Sequence, residues 1–143
     1  MKLILDKYET FEEYRKAVRE LSRTLLIASE DRLSLEEGIP EDLTAALRDM
    51  GLFGISIPSQ YGGLDLSMEE QVRLTFEFCQ ASCVYRSRFS TTIGLTSQAI
   101  LDFATEEQKE KYLPKMERGL CTGAFALTEP EAGSDAGSLK TTA

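Results

Sequence analysis

Three times in this chain a hydroxyl residue is followed, three positions later, by Glu or Gln at the head of an apolar pattern. The three are Thr10-Phe11-Glu12-Glu13, Ser67-Met68-Glu69-Glu70 and Thr105-Glu106-Glu107-Gln108. At a helix start the first backbone N–H groups have no partner in the helix. The hydroxyl satisfies one of them and the Glu or Gln side chain reaches back to another, so each string predicts a helix start. After Thr10, an apolar face at three- and four-residue spacing (Phe11, Tyr14, Val18, Leu21, Leu25, Ala28) predicts a helix to about Glu30. Asp31 to Ile39 reads as a polar connection. Pro40 suits a first helical turn, Leu43, Ala46, Leu47 and Met50 form a short stripe, and Gly51 suits a left-handed cap. After Ser67, Val72, Phe76, Cys79 and Cys83 fall on one face and Leu74 and Phe78 on another, which predicts a largely buried central helix. Pro114 predicts a kink or break near Leu113, and Gly119 closes the helical region.

Two stretches depart from that pattern. Leu52 to Pro58 is apolar and too short for a helix, so an extended segment through the core is expected, turning at Ser59 to Gly63. Thr91 to Leu101 is helical in register but rich in Thr and Gly, whose small side chains let another group approach closely. From Cys121 the period changes. Cys121 to Thr128 reads as a strand, Glu129 to Asp135 as a sharp turn, and Ser138 to Ala143 as the start of a second strand.

Charge and residue types narrow the function. The net charge of −8 disfavours nucleic acid and anionic membrane surfaces, and no stretch is long enough to span a bilayer. The absence of histidine removes the commonest general base and metal ligand, and no metal is expected. Three cysteines, an odd number, with no secretion signal in the short apolar run at Met1 to Lys7, point to reduced thiols in a cytoplasmic protein. Cys79 and Cys83 are expected to be buried and unreactive, with Cys121 more reachable. Arg86 and Arg88 suit a surface role or the attraction of a phosphate. Glu129 and Asp135 flank a turn and read as loop-fixing groups rather than an acid–base pair.

Phe125-Ala126-Leu127-Thr128-Glu129-Pro130-Glu131-Ala132-Gly133-Ser134-Asp135 resembles the first signature of the acyl-CoA dehydrogenase family. Gly51-Leu52-Phe53-Gly54-Ile55, Ile57-Pro58, Tyr61-Gly62-Gly63 and the run from Thr105 to Pro114 resemble that family's helical N-terminal domain. The likeness runs from about Glu41 to Ala143, with the first forty residues alike only in being helical.

The resemblance implies a mainly α fold: an antiparallel helical bundle over residues 1–120, then the first strand and flavin-binding loop of a β-domain over 121–143. It implies FAD as cofactor, with Phe125 packing beside the flavin ring and Leu127 and Thr128 offering it backbone groups and a hydroxyl. Gly133 would admit the pyrophosphate region, and Ser134 would contact FAD or the coenzyme A moiety. Thr91 and Thr92 lie in the segment that lines the acyl tunnel in that family; a plain helix contact through small residues is the equal alternative. The implied chemistry is oxidation of an acyl-CoA to a trans-2-enoyl-CoA, by α-proton abstraction and β-hydride transfer to flavin. Electron-transfer flavoprotein is the implied acceptor and a homo-oligomer the implied assembly. Nothing in the chain corresponds to the catalytic base. A truncated helical binding fragment and an acyl-CoA oxidase are the other readings.

Overall fold

The computed structural model describes residues 7–35 and 38–142, so the apolar run at the start of the chain lies outside the described residues. The helices are α1 (Phe11–Leu21), α2 (Glu30–Leu35), α3 (Glu41–Asp49), α4 (Met68–Phe78), α5 (Cys83–Thr91), α6 (Ser97–Phe103) and α7 (Glu106–Glu117). They form a bundle around a large apolar core, with a second, smaller cluster of Ile57, Tyr61, Leu113 and Met116 under α7, the helical fold that the capping strings and stripes predict. The boxes at Ser67 and Thr105 close as expected. At Thr10 the hydroxyl caps the helix, but the Glu13 carboxylate accepts from Glu9 N–H instead.

The first helix does not stop at Glu30. A π-helical turn, Ser22–Leu26, and a tight 3-10 turn, Ile27–Ser29, carry it on to Leu35. The wide turn shifts the buried face to Tyr14, Val18, Ser22 and Leu26, four residues apart throughout, and leaves Ala28 exposed. Ser22 Oγ donates to the Val18 carbonyl at 2.9 Å. The same construction recurs in the second half. Tyr85, Phe89, Ile93 and Ser97 are buried at the same spacing across a second π turn, Thr92–Thr96, and Ser97 Oγ donates to Ile93 O. Each stripe begins with a buried tyrosine whose hydroxyl ties two elements. Tyr14 reaches Met50 O at 2.8 Å and Tyr85 reaches Leu26 O at 2.9 Å.

Leu52 to Pro58 is not extended. Leu52–Gly54 is a 3-10 turn entered through Gly51 at φ 75°, and the chain turns again at Ser59–Tyr61. Compact turns still bury Leu52, Phe53, Ile55 and Ile57, because their backbone groups are satisfied within the turn, as Ile57 N–H to Gly54 O, and by the stretch that follows, as Leu66 N–H to Ile55 O. Gly63 is held against this turn so closely that a Cβ would meet Ile57 O at 1.5 Å. Helix α7 runs through Pro114 without breaking. The carbonyl that Pro114 leaves unbonded belongs to exposed Glu110, where water can reach it, while Leu113 and Met116 are buried on the other side.

The largest departure is α4. Leu74, Glu77 and Phe78 are buried, whereas Phe76 is 74% exposed and Val72, Cys79 and Cys83 are also exposed. The helix ends at Phe78, so the two cysteines lie on different elements and share no buried face. The inward position next to Phe78 belongs to a carboxylate because α1 presents two arginines to it. Arg19 Nε and Nη2 lie 2.6 Å from Glu77, Arg15 completes the cluster, and together they hold the Glu77 carboxyl below its ordinary range.

Candidate functional site

A cleft of about 130 Å³ opens between α4, α5 and the turn at Leu52–Gly54. Its walls are mostly apolar: Leu52, Ile55, Met68, Val72, Leu74, Phe78, Phe89 and Ile93, with Gly94 at one edge. Gln71, Thr75, Ser90 and Arg86 supply its polar groups. Among the described residues no carboxylate lines it. The sequence stripes did not reveal this cleft, because it is built where α4 turns apolar residues away from the core.

The π turn Thr92–Thr96 serves two surfaces. Ile93 and Gly94 form one end of the cleft. Thr92 and Thr96 receive the chain as it leaves α7. Thr92 Oγ1 accepts from Gly123 N–H at 3.0 Å, and Arg88 donates to Thr122 Oγ1 at 3.2 Å while stacking on the Phe53 ring. Gly123 sits so close that a Cβ would meet the Thr96 side chain at 2.5 Å. The small residues of this segment therefore admit the chain's own backbone. Thr91 is half-buried and Thr92 buried; they sit beside the cleft rather than in its lining.

Beyond Gly123 the chain carries neither helix nor ladder, and among the described residues no strand forms, so the strands expected from Cys121 and from Ser138 are absent. Phe125 and Leu127 are 47% and 42% exposed, and the Thr128 hydroxyl makes no hydrogen bond. The following loop is tied by its own side chains. Glu129 accepts from Lys140 N–H at 3.0 Å, from Thr141 N–H at 2.7 Å and from the Thr141 hydroxyl. These donors, the Thr141 hydroxyl foremost, hold its carboxyl below the ordinary range. Asp135 accepts from Ser138 Oγ, and Glu131 pairs with Lys140. Both acids are occupied in fixing the loop, as their flanking positions suggested. Ala132 is buried under the turn, while nothing lies within 4 Å of a Cβ built on Gly133.

These groups are accessible to the flavin nucleotide that the resemblance implies. Two exposed apolar side chains, a free hydroxyl and an open glycine follow one another on a loop that needs no ligand to close. Among the described residues no group of His, Cys, Asp or Glu could hold a metal ion, and no helix is long and apolar enough to cross a membrane.

Residues 8–120 match the model of the acyl-CoA dehydrogenase N-terminal domain, so the likeness reaches well ahead of Glu41, where the sequence motifs alone begin. An acyl-CoA dehydrogenase of Bacillus subtilis is 37% identical over 129 residues, covering 90% of this chain and 34% of that protein. The solved structure of Megasphaera elsdenii butyryl-CoA dehydrogenase superposes with a TM-score of 0.75 at 26% identity, over 92% of this chain and 35% of that one. Mycobacterium smegmatis glutaryl-CoA dehydrogenase gives 0.78 at 29%, over 92% and 34%. The chain thus spans about a third of the length of these relatives. With the bundle, the two glycine-packed turns and the tied loop in place, this chain belongs to the acyl-CoA dehydrogenase family.

Proposed function

We propose that the chain is the N-terminal portion of an FAD-dependent acyl-CoA dehydrogenase that oxidises acyl-CoA to trans-2-enoyl-CoA. The observation that carries this reading is the shared π turn: one segment bounds an apolar cleft with Ile93 and Gly94 and, through Thr92 and Gly123, seats the segment that leads into the signature loop. Acyl chain and flavin would then be set against each other by one rigid element. Bound FAD supplies the two-electron acceptor. Phe125 and Leu127 would pack at its ring, Thr128 would donate to the ring edge, Gly133 would admit the pyrophosphate region and Ser134 would meet FAD or coenzyme A. Thr91 and Thr92 would bound the acyl end of the site from behind.

Among the described residues no carboxylate lines the cleft, so the base that removes the α-proton is assigned to a part of the protein outside residues 1–143. The division at residue 120 follows from the same reading, with the bundle before it and the β-domain after it. We assign electron-transfer flavoprotein as acceptor, a homo-oligomer as the working form, and the reducing cytoplasm as location; the three unpaired cysteines fit that compartment.

The test uses the complete reading frame. Gly133→Ala adds a methyl into open space, so the melting temperature should stay unchanged while FAD affinity falls. Thr128→Ala removes one neutral hydrogen bond worth about 1 kcal/mol, roughly a fivefold loss of FAD affinity. Unchanged FAD affinity in both variants would overturn the assignment of the loop.

A further inference from the structure

We propose that Glu77 is a positioning residue for the acyl site: held from behind by Arg15 and Arg19, it fixes where α4 stands, and with it the width of the cleft and the acyl branching that the cleft admits. This rests on the reading of the cleft as an acyl site and names what sets its selectivity. One whole wall of the cleft is α4, which contributes Met68, Gln71, Val72, Leu74, Thr75 and Phe78. The facing wall is built from α5, the π turn Thr92–Thr96 and the turn at Leu52–Gly54, and those three elements pack on one another. Helix α4 instead packs chiefly on α1, and no described residue of α1 lines the cleft.

The directional contacts of α4 lie on the α1 side. Arg73 pairs with Glu12 and stacks on the Phe11 ring at 5.4 Å. Glu77 takes Arg15 and, at 2.6 Å, both Nε and Nη2 of Arg19. Just past the helix end, Arg23 Nε donates to the Gln80 side chain at 3.1 Å. A two-pronged guanidinium–carboxylate contact fixes orientation as well as separation. Glu77 stands in the middle of this series with its side chain 6% exposed. Toward the cleft the situation is reversed. Among the described residues no hydrogen bond or ion pair joins α4 to the facing wall. Gln71 Nε2 donates to Leu66 O at 2.7 Å, and the Thr75 hydroxyl donates to Gln71 O at 2.8 Å. What crosses is apolar contact, with the Phe78 and Phe89 rings 5.3 Å apart. Such contact is non-directional and sets no fixed separation against an inserted chain. Phe78 follows Glu77 directly and Leu74 lies one turn before it, so a displacement at Glu77 moves the cleft wall with it.

The test is steady-state kinetics of the full-length, FAD-loaded protein with two CoA thioesters, one of a linear acid and one of its methyl-branched isomer. Both carry the same coenzyme A, so the ratio of their KM values reports the cleft alone. The wild type should prefer the linear substrate by about tenfold, the range for one methyl group in an apolar site, and Glu77→Gln should reduce that to about threefold or less. The change should lie in KM rather than kcat, because the wall holds the acyl chain equally before and during reaction. Glu77→Asp keeps the charge and should restore part of the preference. Added salt screens the partly solvated arginines, so it should lower the ratio in the wild type and leave it fixed in Glu77→Gln. Met116→Ala, in the smaller apolar cluster, lowers the melting temperature without touching these contacts and should leave the ratio at its wild-type value. A wild-type ratio near one, or one that Glu77→Gln leaves unchanged, would overturn the proposal while leaving the acyl site in place. So would an equal shift in Met116→Ala, which would trace the effect to lost stability. If Glu77→Gln does not fold, a wild-type ratio indifferent to salt overturns the proposal by itself. Failure of both thioesters to bleach the wild-type flavin would instead remove the acyl-site reading, and this proposal with it.

Discussion

Gly123 is the point where the helical bundle hands the chain to the signature segment, and its replacement by Ala should be among the more damaging single-methyl changes in the protein. The new Cβ would sit 2.5 Å from Thr96 Cβ, 2.5 Å from Thr96 Oγ1 and 2.7 Å from Thr96 Cγ2, all well inside contact distance. The extended segment must move away, and it takes the Gly123 N–H with it. That breaks the 3.0 Å bond to Thr92 Oγ1, a hydroxyl that is 2% exposed. A lost hydrogen bond contributes about 1 kcal/mol, and overpacking typically costs about 1–3 kcal/mol, so a loss of about 2–4 kcal/mol is expected. At about 3 °C per kcal/mol for a chain of this size, the melting temperature should drop by roughly 10 °C. Thermal unfolding followed by circular dichroism measures it. The rescue is specific. Thr96→Ala keeps the Cβ at 2.5 Å and should restore little. Thr96→Gly removes every clashing atom and should restore most of the loss, less the cost of about 1 kcal/mol for glycine in a helix. A Gly123→Ala loss below about 0.5 kcal/mol, or equal rescue by Thr96→Ala and Thr96→Gly, would refute the packing argument.

Glu77→Gln should destabilise the protein at pH 7 by about 2 kcal/mol, less than a fully buried pair would because Arg15 and Arg19 remain partly solvated. The Glu77 pKa is lowered on folding, so its contribution is present above the ordinary value of 4.5 and is lost as pH falls below it; denaturation of both proteins across pH should show the gap closing there. Glu117 should behave in the opposite sense. It is buried against Gly54 and Gly62, its ion-pair partner Arg118 lies 3.8 Å away, and burial raises its pKa. Ionising it therefore opposes folding as pH rises above 4.5, so Glu117→Gln should stabilise at neutral pH and give no gain in acid. Cys79 and Cys83 should react with a thiol reagent under native conditions faster than half-buried Cys121, read by mass spectrometry.

Local features were legible in the sequence because their causes are local. A capping box needs only residues three apart, and Gly51 announces a left-handed turn by itself. The order of residues from Phe125 to Asp135 carried the family and the loop, including the loop-fixing use of Glu129. What escaped depends on distant partners. Glu77 looks solvent-facing until α1 brings Arg15 and Arg19, about sixty residues away, onto it. The π turns hide in stripes of spacing four, which a period of 3.6 does not follow, so the sequence pattern points to Leu25 where the structure buries Leu26. The cleft was invisible for a related reason. Val72 reads as core, and only the ends of the elements show that it faces outward beside Met68.

The central claim is that one element of this chain sets an acyl group against a flavin. Anaerobic titration of the full-length, FAD-loaded protein with acyl-CoA thioesters, following the flavin absorption, tests it most directly. The account predicts bleaching of the oxidised flavin band, with Gly94→Val, a branched side chain placed in open space at the cleft edge, changing which acyl chains bleach it while leaving the melting temperature nearly unchanged. A protein that purifies without flavin, or one whose flavin band no acyl-CoA alters, would contradict it.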